Sequence, residues 1–194
     1  MKTAILALHY QNEVLHPDGK IRLGVAKDSP DRDLVVDAAG RLLAAARKQG
    51  LPLVHVRMAF PANYAGVPLQ APIFGNVAKL GAILEGSWGA EFLHGLEPLP
   101  GESVVTHDRV NAFFRSDLER VLISLGAQRL ILAGVATNSV VEHTARHAAD
   151  MGYAIALAAD ACSAAHPHLH RAAIDNMALL GEVSTVAALL EHDA

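Results

Sequence analysis

Two histidines and one glycine-bearing turn are the residues in this chain best suited to chemistry. His9, with Tyr10 behind it, follows the apolar run 3–8. His107, followed by Asp108 and Arg109, comes directly after the short apolar stretch 104–106. The turn Gly134-Val135-Ala136-Thr137-Asn138 leads from an apolar stretch into a helical one. A turn of that kind presents free backbone N–H groups and the positive end of a helix dipole, a cradle for an oxyanion or carboxylate. An imidazole titrates near ~6.5, so one of a pair can be neutral while the other is protonated. A neutral His9 then suits water activation or proton abstraction, and a protonated His107 suits stabilisation of developing negative charge. The chemistry expected is non-covalent acid–base catalysis on a small carbonyl or carboxylate compound.

Neighbouring residues admit two readings each. Arg109 suits a substrate carboxylate or a structural salt bridge equally well. Tyr10, Phe60, Tyr64, Trp88 and Phe113 can wall an apolar pocket, with Asn111 and Asn138 as polar contacts; the alternative for each is core or interface. Zinc needs three or four ligands, and only Glu13 or Asp108 stands near His9 and His107 as a third. No metal and no cofactor is therefore expected. His166, His168 and His170 alternate around Pro167 and read as a solvated helix start. The single cysteine, Cys162, cannot form an internal disulfide, which suits a reducing, cytoplasmic setting and a packing role.

A sheet has to bring these residues together. Strands are expected at 3–8, 53–58, 104–106, 129–134, 153–159 and 182–183. Helices are expected at 31–48, near 76–84, and at 117–125, 138–151 and 167–180, with a helical tail after 184. Residues 59–99, rich in proline and glycine, read as mostly loop. On the first long helix Leu34, Val35, Ala38, Leu42, Ala45 and Ala46 fall on one face, and Gly50 with Pro52 ends it. Ser116 is placed to cap the helix after it. Apolar strands alternating with helices argue for one α/β domain over 1–194, with a parallel sheet covered on both faces. Ligands of such sheets bind beyond the carboxyl ends of the strands, where His9, His107 and the turn converge.

With 194 residues, 52% apolar composition and a net charge of −4, the chain has no charge run suited to nucleic acid or an anionic membrane. The apolar start is too short for a signal peptide and reads as a buried strand. Partners are expected to be a small molecule and further copies of the chain.

Five motifs in order carry a resemblance to the isochorismatase-like cysteine hydrolases. They are the opening strand with Gln11-Asn12; Gly86-Ser87-Trp88-Gly89-Ala90-Glu91 with Leu96 to Glu102; His107-Asp108-Arg109-Val110-Asn111-Ala112-Phe113-Phe114; Gly134 to Arg146; and Asp160-Ala161-Cys162-Ser163. The resemblance implies a Rossmann-type three-layer α/β/α sandwich with a mostly parallel sheet, and assembly into homodimers or larger oligomers. It also implies a cis peptide at Val135–Ala136 beside an oxyanion hole that includes Val140. Relatives use an aspartate, a lysine and a cysteine; the matching positions here are His9, His107 and Val140. Valine cannot act as a nucleophile, which excludes an acyl-enzyme at that position. Ser139 lies one residue earlier and is expected to point differently. The resemblance leaves a second reading open, a relative without activity that binds a small molecule or works through its oligomer.

Overall fold

The computed structural model describes residues 1–26 and 29–191. Six strands form one sheet: β1 (Thr3–Leu8), β2 (Leu53–Met58), β3 (Ser103–His107), β4 (Arg129–Val135), β5 (Ala154–Ser163) and β6 (Gly181–Ser184). Their order is β3-β2-β1-β4-β5-β6, and each neighbouring pair is parallel. All six residues of β1 are buried, as a central strand covered on both faces requires. The chain builds outward from β1 to β3 and then returns to β1's other side with β4. That reversal opens a crevice beyond the carboxyl ends of the central strands.

Helices α1 (Asn12–Leu15), α2 (Arg32–Gln49), α3 (Pro72–Lys79), α4 (Leu118–Leu125), α5 (Glu142–Asp150), α6 (Pro167–Met177) and α7 (Val186–Glu191) connect and cover the strands. On α2 the buried stripe is Val35, Ala38, Ala39, Leu42, Leu43 and Ala46, the three-four spacing of an amphipathic helix. Leu34, expected on that face, is 65% exposed, because it lies one position off the stripe in the first turn. Gly50 ends α2 in the left-handed conformation (φ 68). Ser116 Oγ accepts from the Leu118 N–H at the start of α4, although the N-cap residue itself is Asp117.

Several boundaries differ from the sequence expectation, and three of the differences have a clear cause. The helix expected near 76–84 runs instead over Pro72–Lys79, since Pro72 suits a first helical position and Gly81 (φ 58) follows its end. The helix expected at 138–151 opens as a π-helical turn, Thr137–Val141, before α5. β5 runs on to Ser163 because its pairing with β4 shifts register between Leu132 and Gly134. Gly134 is required there: a Cβ on it would meet the Leu8 carbonyl oxygen at 2.2 Å. The tail expectation beyond 191 lies outside the described residues. Among the described residues no helix is long and apolar enough to cross a membrane.

Candidate active site

His9 follows the last residue of β1 and takes a left-handed conformation (φ 57), which costs a residue with a Cβ about 1–2 kcal/mol. Its N–H donates to the Val56 carbonyl at 2.9 Å, anchoring the turn to β2. His107 is the last residue of β3 and pairs in register with Met58 of β2. The two imidazoles therefore meet above the end of β2, with Nε2 atoms 2.6 Å apart and ring centroids 4.8 Å apart. Both residues are buried.

Gln11 holds this arrangement from below. Its Nε2 donates to the Met58 and Ala90 carbonyls, and its Oε1 accepts the Met58 N–H. Asn12 Nδ2 donates to the Trp88 carbonyl at 3.0 Å. Both side chains are buried and satisfied, which gives the Gln-Asn pair after β1 a physical task.

Burial sets the charge of the histidine pair. It pushes His107 down to about 4, against the opposing pull of Asp108 and of the Asn111 and Arg109 backbone. Burial, with His107 second, holds His9 well below the ordinary histidine range. Burial thus disfavours the charged form of both rings, which weighs against the expected division into one neutral and one protonated ring. One Nε2–H donates and the other Nε2 accepts. His107 Nδ1 is buried and has no hydrogen-bond partner.

A partly open cavity of about 40 Å³ lies beside the pair, and His9 lines it while His107 stands behind. Val14, Phe74, Ile83, Val135, Ala136 and Val140 contribute to its apolar wall. Ser139 is the other polar side chain on that wall. The Val135–Ala136 peptide is cis. By volume the chamber admits roughly three water-sized groups.

The isochorismatase domain model matches residues 3–188 of this chain. The chain belongs to the isochorismatase family. It is 34% identical over 148 residues to the isochorismatase family protein YecD of Escherichia coli O157:H7, covering 75% of each. It is 31% identical over 201 residues to the ureidoacrylate amidohydrolase RutB of Methylobacterium radiotolerans, covering 96% of this chain and 77% of that one. An isochorismatase family protein structure from Desulfovibrio vulgaris superposes with a TM-score of 0.86 at 26% identity, covering 97% of this chain and 96% of that one.

In this isochorismatase-family chain the residues expected to bind substrate lie away from the His9 cavity. Tyr10 is in the core, its hydroxyl donating to the Ala161 carbonyl at 2.6 Å. Arg109 is tied to Asp108 at 2.9 Å and to the Gly66 carbonyl, so its structural reading prevails. Phe113 stacks on His147, and Asn111 Oδ1 accepts the Phe113 N–H to shape the turn. Trp88 is 47% exposed and meets His16 edge-on. Phe60 is core, and the Tyr64 hydroxyl donates to the Ala82 carbonyl. Asn138 faces a separate surface basin beside Glu142 and Arg146.

The acidic neighbours considered as third metal ligands are also engaged elsewhere. Glu13 accepts the N–H groups of Lys20 and Ile83, and Asp108 holds Arg109. Two nitrogens 2.6 Å apart are too close to share one ion, since zinc–nitrogen bonds of ~2.0–2.1 Å would separate them further. Cys162 is buried and its thiol is pushed up to about 12, chiefly by burial. His170 Nδ1 lies 2.8 Å from Thr137 Oγ1, joining α6 to the π-helical turn. His55 is hydrogen-bonded to Glu102, which also holds Arg47.

Sequence reasoning missed Val14, Phe74, Ile83 and Val110 as cavity residues. Three of them fall in loop-rich stretches, where an apolar residue facing a chamber carries the same local signal as one facing the core.

Proposed function

We propose that this chain is a hydrolase acting on a small carbonyl or carboxylate compound without a covalent intermediate, with His9 as the general base. The observation that carries this reading is that His9 lines the cavity while His107 Nε2 stands 2.6 Å from its Nε2. On this reading His9 Nε2 donates to His107 Nε2, 2.6 Å away. The lone pair of His9 then resides on Nδ1. On this reading Nδ1 takes a proton from water, the resulting hydroxide adds to the substrate carbonyl, and the same proton passes to the leaving group. His107 is a positioning residue, fixing the His9 tautomer. Ser139 and the backbone at Ala136 suit contacts to the carbonyl oxygen. The three positions that hold aspartate, lysine and cysteine in relatives would be His9, His107 and Val140, and no acyl-enzyme would form. The RutB relative's name, an amidohydrolase, favours an amide-type carbonyl.

Turnover of a panel of small amides, esters and cyclic carboxylates tests this reading. Replacing His9 with alanine should lower the rate by about 10²–10⁴, the usual weight of a general base. Intact-mass spectra during turnover should show no acyl adduct. An unchanged rate in His9→Ala, or a stable adduct, would end the proposal.

A second reading draws on the size and apolar wall of the chamber: a relative that binds a small molecule without turning it over. Binding in that panel with no product in any case would favour it.

A further inference from the structure

The His9 chamber is too small to hold a whole substrate of more than a few atoms. An open basin of about 470 Å³ adjoins it, and the two share Ile21, Leu23, Ile73 and Val77 in their walls. Lys20, Arg22 and Lys79 also line this basin. Among the described residues none of the three pairs with a carboxylate. Lys20 Nζ reaches only the Gly81 carbonyl, at 3.4 Å, and Arg22 Nη2 only that of Pro17, at 3.1 Å.

The surface basin that shares Ile73, Val110 and Ser139 with the chamber is different. Its arginine, Arg146, is paired with Glu142 at 2.8 Å, so its charge is already answered. Three cations that no carboxylate answers among the described residues, beside the apolar residues the basin shares with the His9 chamber, set a polarity for whatever enters. The chain's net charge is −4, so this cationic basin runs against the overall balance.

We propose that the basin docks the anionic end of the substrate. A carboxylate would rest among Lys20, Arg22 and Lys79 while a carbonyl end of the same molecule passes Ile21 and Val77 to reach His9. The substrate class is thus a short, two-ended acid: a carbonyl group and a carboxylate joined by a slim apolar spacer. This deepens the hydrolase reading above and rests on it for the role of the carbonyl end.

Calorimetric titration with succinamate and with its neutral diamide, succinamide, tests the proposal at low and high salt. Three exposed charge contacts should favour succinamate by roughly ten-fold at low ionic strength. That preference should shrink with added salt and vanish in the combined variant Lys20→Gln, Arg22→Gln, Lys79→Gln. Equal affinities, a preference that survives the triple substitution, or no binding of succinamate at millimolar concentration would each overturn it. The His9→Ala variant, titrated in parallel, separates the two readings. Selective docking of succinamate without turnover in the native chain upholds the anion site and removes hydrolysis. Turnover of succinamide with no preference for the acid does the reverse.

Discussion

His9 Nε2 and His107 Nε2 stand 2.6 Å apart, though the residues are 98 positions apart in sequence and sit on strands with β2 between them. Two buried imidazoles in contact cannot both carry a proton on the shared side without leaving like charges in an apolar setting. The pair therefore has one stable form at neutral pH, in which both rings are uncharged and joined by a single N–H···N bond.

That neutrality fixes a pH profile. With both histidines lowered, kcat/KM for any hydrolysed substrate should be level between about pH 6.5 and 8 and fall only in acid, below the ordinary histidine range. Steady-state rates across that range check it. A limb centred on the ordinary histidine value would mean that the working base is a solvated residue and not His9.

Stability should follow the same sign. A histidine whose folded pKa is depressed contributes stability that is present above ~6.5, where the unfolded chain is also neutral. Stability is lost as pH falls toward the folded value, because the unfolded chain binds a proton that the folded one refuses. For His107, lowered to about 4, the loss between those limits is on the order of 3 kcal/mol. Urea midpoints measured between pH 7 and pH 4 should decline, and a His107→Asn variant should decline less steeply. Parallel slopes in the two proteins would argue against it.

Gly134 supplies a test of the scaffold. Its φ is 153, and an added Cβ would sit 2.2 Å from the Leu8 oxygen on the strand that leads into His9. Gly134→Ala should cost about 2 kcal/mol or more, because neither backbone is free to give way. Denaturant titration would show it, and a midpoint within error of the native chain would contradict the close approach.

Much of the fold was legible because its strands are short apolar runs between helical periods, and β1, β2 and β4 could be placed almost to the residue. Leu34 was misplaced because one step in a 3.6 period separates a core face from a solvent face. The end of β5 was misplaced because a register shift leaves no local mark. That His9 and His107 would meet was legible from their position at strand ends. Tyr10, Arg109, Phe113, Trp88 and Asn111 were not, since a ring or a charge near a site looks the same in sequence whether it faces the ligand or props a turn. The neutrality of His107 was hidden for a related reason: burial, not a neighbour in the chain, decides it.

The satisfied Gln11 side chain reaches further than the turn it braces. By joining the segment after β1 to Met58 at the end of β2 and to Ala90 in the long connection, it ties three distant stretches of chain at one point. All three bonds can form only when these stretches lie together, so the Gln11 side chain couples the placement of His9's turn to that of the β2 end and of the long connection.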